Sequence, residues 1–454
     1  LSPKYKNIPQ VIFLLFFTLY LIFPGDHELR EVGFGSHGSR ILLLDIFVII
    51  FVISSLGYIL SSSKKIINYI GFIPIIFFLG TSSFSLIRGL PLYGGWAIGE
   101  ARWFFLIIFL PIGYAIYDNS LLKKIKKIFY IAAFYHSGKI LFLYLIGKAW
   151  DTSGGIMRYG GGRGSLIIGI VLIFTLIDEA IYYKKDVSKA LRKIILILFF
   201  LFVILISQTR TIFIIIPLCL FFLYLIFYKI QLWTILKYVL VAGVFVIFIN
   251  FFLYYLFPPK MQQSIDASFE VINEIFDPDT YFAMLHPASL VQGDFKKFFS
   301  ASGNTYFRVL AWSQVIYNVY NTPGGLYYGE PMGAGFEFYN PDMKQWLVDM
   351  QPHNDYIVIF SKIGIIGLLG YIMLLGKYFN NTRKLKRFYN FDNILISEIV
   401  LITIILIMIM SFAFLNPEIR TYGSHFWVWL FVGFGFRYLF NSDINNTKIK
   451  LENI

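Results

Sequence analysis

The sequence predicts an all-α integral membrane protein of about 12 transmembrane helices, with a large, partly helical outer loop between helices 9 and 10. Three observations carry this. Of the 454 residues, 57% are hydrophobic and 20% aromatic, well above the apolar share of soluble domains. The apolar residues come in runs long enough to cross a bilayer. The 39 Lys and Arg gather in short clusters between alternate runs, the distribution that sets membrane orientation.

The runs fall at about 8–24, 41–60, 66–87, 97–117, 128–147, 165–183, 193–209, 211–228, 238–256, 354–376, 393–415 and 425–440. The first has no small-residue cleavage site after it and reads as a retained helix rather than a signal peptide. The seventh and eighth are joined so closely that one broken element is an alternative to two spans. With the N-terminus in the cytoplasm, that side holds Lys4 and Lys6, Lys64 and Lys65, Lys123 to Lys127, Lys184 to Lys193, Lys229 and Lys237, Lys377 to Arg387, and Lys448 and Lys450. The opposite short loops carry far fewer cations, so both termini are expected in the cytoplasm. The chain then divides into helices 1–9 over 1–256, an outer insertion over 257–352, helices 10–12 over 353–440 and a cytoplasmic tail over 441–454.

The net charge of +13 is accounted for by this topology. It lies on no single amphipathic face, which argues against a nucleic-acid partner. Cys219 is the only cysteine, which excludes an intramolecular disulfide and a cysteine-based metal site. The insertion is partly helical by periodicity. Met261, Ile265, Phe269, Ile272 and Phe276 recur at three-to-four spacing, and Val309, Trp312, Ile316 and Val319 do so after Arg308. The glycine-rich stretch 321–342 that follows is either an ordinary loop or a surface where aromatic rings stack on sugars.

Charge inside apolar spans is costly and marks functional candidates. Glu100 and Arg102 open the fourth span, His136 and Lys139 interrupt the fifth, Arg158 and Arg163 precede the sixth, and Arg210 separates the seventh from the eighth. Nearly all fall at the outer side on the assigned topology. His353 falls at the same depth, where the polar insertion meets the tenth span. Ion pairing or snorkelling explains Arg102 and Arg158 equally well, and a lone histidine there also suits an interfacial role. A set of guanidinium groups at one depth nevertheless fits an anionic ligand, since their planar donors pair with phosphate.

Four stretches add a resemblance. His353-Asn354-x-Tyr356 followed by Gly364 and Gly367, Ser207-Gln208-Thr209-Arg210 before an apolar helix, Arg308-x-x-x-Trp312 with Pro323 and Gly333-Ala334-Gly335, and Arg163 within a glycine run together resemble the O-antigen polymerase and ligase superfamily of GT-C-like membrane glycosyltransferases. The Pro323-to-Gly333 spacing is stretched relative to the tight family turn.

The resemblance implies a metal-independent, inverting transfer at the periplasmic face of the bacterial inner membrane, with no cofactor. His353 would act as base and Arg210 and Arg308 would clamp the diphosphate. Arg163, Arg158, Arg102, Lys139, Asn354 and Tyr356 would help to bind diphosphate or glycan. The donor would be an undecaprenyl-diphosphate-linked oligosaccharide and the acceptor a second glycan, for a polymerase, or lipid A core, for a ligase; a chain-length co-polymerase is a further expected partner. The polymerase is favoured by an AT-rich composition and by the Arg158-x10-Gly169 spacing. A lipid-linked oligosaccharide flippase is the rival from another class, and a scaffold protein using the insertion a third. Two other acidic elements, Asp277-Pro278-Asp279 and Asp26-His27-Glu28, are read as a turn and a solvated loop rather than as catalytic groups.

Overall fold

The computed structural model describes residues 7–22, 33–34, 41–148, 162–182, 187–207, 209–227, 303–336, 338–340, 345–347, 354–385, 395–415 and 427–441. For some of these, Arg210 and Arg308 included, only the course of the backbone is described. The expected ninth span, the stretch 257–302, Arg158 and His353 lie outside the described residues.

In order, the helices are α1 (Asn7–Ile22), α2 (Leu43–Ile70), α3 (Phe72–Tyr93), α4 (Gly95–Phe105), α5 (Phe109–Ile116), α6 (Asn119–Leu145), α7 (Gly162–Tyr182), α8 (Val187–Ser207) and α9 (Arg210–Phe227). After the insertion come α10 (Gly303–Asn321), the single turn α11 (Gly325–Tyr328), α12 (Asp355–Leu385) and α13 (Leu395–Leu415), and a last helix, α14, over 427–441. Among the described residues, four helical stretches are long and apolar enough to cross a membrane: Phe72–Tyr93, Gly95–Ile116, Asn119–Leu145 and Asp355–Lys384. The second of these is α4 and α5 joined through a 3-10 turn at Leu106–Ile108. Shorter apolar helices occupy Ile8–Ile22, Ile46–Leu60, Arg163–Ile177, Ile214–Phe227 and Glu398–Phe414.

Two details depart from the expectation. The fold is helical, but it also contains two small antiparallel pairs, Gly33–Phe34 with Ile41–Leu42 and Phe338–Asn340 with Gln345–Leu347, the latter setting Tyr339 opposite Trp346. Aromatic residues are enriched in strands, which suits such a pairing. The helix expected after Arg308 is present as α10, yet its buried stripe is Ala311, Val315 and Val319, while Ile316 is exposed. The reason lies in the partner. Ala311 and Val315 pack against Phe336 and Val358, neither of which is close in sequence.

One core runs through the bundle. Phe13, Phe17, Phe129, Trp427 and Phe431 interlock near α1, and Phe78, Phe104, Tyr371 and Trp429 near α3. In lipid, helices associate through close packing rather than through water exclusion. The α3–α12 contact follows that rule, with Gly367 of α12 seated against the side chain of Thr81.

The loop after α11 is part of this bundle. Met332 N–H donates to the Ser85 carbonyl (3.2 Å), Ser85 Oγ donates to the Glu330 carbonyl (2.7 Å), and Arg88 Nη1 donates to the Gly329 carbonyl (3.0 Å). Ser85 lies eight residues before the end of α3 at Tyr93, roughly 12 Å along the helix axis. The loop therefore enters the bundle, although it belongs to the stretch expected to form the outer insertion. Non-helical backbone survives at such depth only when protein satisfies its polar groups, and α3 supplies partners here.

α12 makes room for the loop by kinking. Gly364 has φ 63° and ψ −172° inside an otherwise helical run, and beside it the Ser361 carbonyl accepts from Glu330 N–H (2.6 Å). A Cβ on Gly364 would overlap the Tyr327 backbone, and one on Gly329, whose φ is 75°, would overlap the Lys362 backbone. Both positions thus require glycine on two counts, left-handed backbone and close approach. We expect Gly329→Ala and Gly364→Ala each to destabilise the protein by about 2–4 kcal/mol. Gly138→Ala, where a Cβ meets nothing within 4 Å, should instead gain up to about 1 kcal/mol. Unfolding in detergent micelles measures the contrast, and equal shifts at all three positions would contradict it.

Candidate functional site

The site is assembled at helix ends. α8 ends at Ser207 and α9 begins at Arg210, so the polar Ser-Gln-Thr-Arg stretch forms a break between two helices rather than one bent element. The break is stitched from within. Ser207 Oγ donates to the Ile204 carbonyl (2.8 Å), and Ile212 N–H donates to the Thr209 carbonyl (3.1 Å) as α9 starts. Thr209 Oγ1 then pairs with buried Ser165 Oγ at 2.9 Å, and Ser165 sits in the first turn of α7, two residues after Arg163. Two of the stretches singled out by sequence thereby meet: Arg163-Gly-Ser165 at the start of α7 and Thr209-Arg210 at the start of α9.

His136 joins them from α6. Its ring is buried, Nε2 lies 2.7 Å from the Leu21 carbonyl at the end of α1, and a Cβ on Gly164 would stand 3.0 Å from its Nδ1. The imidazole therefore packs directly on the turn that carries Arg163. Lys139 is half-buried one turn further along α6.

A second group forms around α12. Asn354 is buried and caps that helix, its side-chain oxygen accepting from Tyr356 N–H (3.0 Å) and Ile357 N–H (3.2 Å). Tyr356 Oη donates to the Met410 carbonyl of α13 (3.0 Å). Its ring also approaches Phe414, which meets Trp312 of α10 at 5.8 Å. The Arg-x-x-x-Trp helix and the start of the His-Asn-x-Tyr helix are thus held on the final turns of α13.

α13 also connects the two groups. Ile405 and Ile409 line a cavity of about 40 Å³ together with Leu21, Phe129, Leu166, Ile170 and Trp427, and Arg163 is the charged side chain on its wall. The wall of the cavity is otherwise hydrocarbon and aromatic ring. The starts of α7 and α9 meet through Ser165 and Thr209, and the start of α12 is set on α13 through Tyr356. Arg102 lies elsewhere. It is half-buried on α4, on the side of that helix away from the buried Ala97, Ala101 and Phe104.

The structure also reveals a charged group that sequence reading missed. Lys362 of α12 is fully buried. Its Nζ stands 3.3 Å from Glu100 and 4.0 Å from Glu330, donates to the Ala334 carbonyl, and lies 4.7 Å from the centre of the Phe336 ring. The same Glu100 oxygen accepts from Gly333 N–H (2.7 Å). The signal was present in the sequence, because a lone ammonium in the apolar run 354–376 is the kind of charge that marks an intramembrane site. The glycine turn is clarified as well. Ala334 N–H donates to the Pro331 carbonyl (3.2 Å) and Gly333 has φ 89°, a type II turn with glycine where positive φ is needed. Its proline is Pro331 rather than Pro323, so the Pro-x-Gly-x-Gly spacing is tight after all.

Residues 195–372 match the Wzy_C family model, O-antigen ligase. The match supports the O-antigen polymerase and ligase superfamily and runs from α8 through the first two-thirds of α12. It takes in the α9 break, α10 and the docked loop, while the cavity walls from α1, α6 and α7 lie before it. No curated protein matches the chain. Replacing Asn354 by Ala should cost about 1 kcal/mol through the lost cap, and Asn354→Asp, which keeps an acceptor, a few tenths at most. Equal losses in thermal unfolding would show that Asn354 stabilises α12 by other means.

Proposed function

We propose that this protein is a membrane glycosyltransferase that joins undecaprenyl-diphosphate-linked oligosaccharide repeat units at the periplasmic face of the bacterial inner membrane, with both of its termini in the cytoplasm. The observation that carries this reading is the convergence on α13 of the starts of α7, α9 and α12 with α10, the elements bearing Arg163, Arg210, Asn354 and Arg308. The O-antigen ligase family match over 195–372 supports the same chemistry.

In this mechanism Arg210 and Arg308 hold the donor diphosphate, with Arg163 and Arg158 behind them. His353 accepts the proton of the acceptor hydroxyl as that oxygen bonds to the anomeric carbon. The bond from that carbon to the diphosphate oxygen breaks with inversion, and the arginines stabilise the charge that develops on the leaving group. Base catalysis of this kind contributes about two to four powers of ten. A chain-length co-polymerase fits a polymerase.

A second reading is the ligase, which delivers the finished glycan to lipid A core, and the family match supports the two readings alike. The Arg158-x10-Gly169 spacing speaks for the polymerase, though it is not the only reason for glycine at 169. Gly169 has a packing reason of its own, since a Cβ there would press on Met408 Cε of α13 at 2.9 Å.

Incubating purified protein with a diphosphate-linked repeat unit alone should give a ladder of products, lost in His353→Ala. Arg210→Ala and Arg308→Ala should weaken donor binding as well as turnover, with incomplete rescue by Lys, which lacks the planar fork. Transfer only after lipid A core is supplied would make the protein a ligase. No transfer to either acceptor would leave a flippase.

A further inference from the structure

The proposed reactive residues ride on two parts of the bundle that share α13 as a brace and have further braces of their own. Arg163 and Arg210 begin α7 and α9, which the Ser165–Thr209 hydroxyl pair ties together. Arg308 lies on α10, and His353 immediately precedes the Asn354 cap of α12. α10 and the first turns of α12 go with the docked loop, because Ala311 and Val315 of α10, Phe336 of the loop and Val358 of α12 form a small apolar cluster of their own. The Gly364 kink cuts this first segment of α12 off from the rest of the helix.

Lys362 closes that segment, one and a half turns after Tyr356 and two residues before the kink. Each of its four partners lies on another element: Glu330, the Ala334 carbonyl and Phe336 on the loop, and Glu100 on α4. Through its contact with Gly333 N–H, Glu100 holds the loop a second time. Lys362 and Glu100 together join loop, α4 and α12.

We propose that Lys362 is a positioning residue for the transfer reaction. With Glu100 and Glu330 it sets where the unit carrying Arg308 and His353 stands relative to the unit carrying Arg163 and Arg210. This inference rests on the function proposed above and assigns Lys362 no contact with substrate. It also makes a kinetic distinction. Proton removal depends wholly on the unit that Lys362 holds, whereas the donor diphosphate draws on Arg308 of that unit and on Arg163 and Arg210 outside it, so turnover should suffer more than donor binding. Displacing the base by about 1 Å costs on the order of 10²-fold in rate.

The test is Lys362→Met in the full-length protein, alone and with Ala334→Cys as a reporter on the loop. Buried Cys219 remains unreactive toward a membrane-impermeant maleimide. Lys362→Met should lower kcat by on the order of 10²-fold and raise donor KM by a smaller factor, at most about tenfold, and the cysteine at 334 should label about tenfold faster as the loop loosens. A purely structural role would instead lower activity only in step with the folded fraction. Should Lys362→Met fail to fold, Glu100→Gln is the milder variant, with the same split expected at smaller size. The exchange Lys362→Glu with Glu100→Lys keeps two carboxylates and one ammonium in place, and should recover part of the lost kcat.

Folded Lys362→Met with kcat within threefold of the parent overturns the proposal, as does an unchanged labelling rate. Absence of transfer by the unaltered protein overturns the proposed function instead, and labelling at 334 then decides the anchoring on its own.

Discussion

The structure depends on one buried ammonium. On insertion scales a Lys at the centre of a membrane helix costs about 2.5–3.5 kcal/mol, and Lys362 is fully shielded from solvent. Two carboxylates, a carbonyl and an aromatic face offset that cost, and all of them lie outside α12. Removing a single partner of a buried pair typically costs about 3–5 kcal/mol, because the remaining charge is stranded. The ion cluster therefore makes the docked loop obligatory. The chain cannot bury Lys362 without bringing Glu330 and Ala334 to it, and with them the turn at Gly333 and the start of α12.

The rest of the candidate site follows the same logic with weaker groups. Hydroxyls and amides near helix ends satisfy one another or the backbone, as Ser165 does with Thr209 and Asn354 with its own first turn. α13 is almost wholly apolar and contributes its carbonyl at Met410 and its ring at Phe414. It acts as the post against which both halves of the site are set.

Much of this was legible from composition and spacing. Apolar runs placed the helices, and the Ser-Gln-Thr-Arg and Asn-x-Tyr stretches marked real helix starts. What escaped depended on partners distant in sequence. The stripe of α10 could not be read, because Val309, Trp312, Ile316 and Val319 fit a helical period as well as Ala311, Val315 and Val319 do. Only Phe336 and Val358 choose between them. The depth of the glycine loop was hidden for a similar reason. A polar, glycine-rich stretch reads as exposed until Ser85, Arg88 and Glu100 are seen to satisfy it. Lys362 was the exception, since its signal was local and lay in plain view within an apolar run. The roles of Arg210, Arg308 and His353 are read from the motifs that carry them.

The kink at Gly364 has a mechanical consequence. A continuous helix transmits an axial pull through its ladder of hydrogen bonds, whereas a helix interrupted by a non-helical residue passes the pull to whatever braces the break. In this protein the brace is ionic and lies across the chain, on the loop and α4. A load applied to the outer segment of α12, such as drag from a long chain tethered there, is carried sideways into Glu100 and Glu330. Beyond the kink the helix packs on α3 with Gly367 against Thr81, so α3 meets such a load twice, there and through Ser85 and Arg88 on the loop.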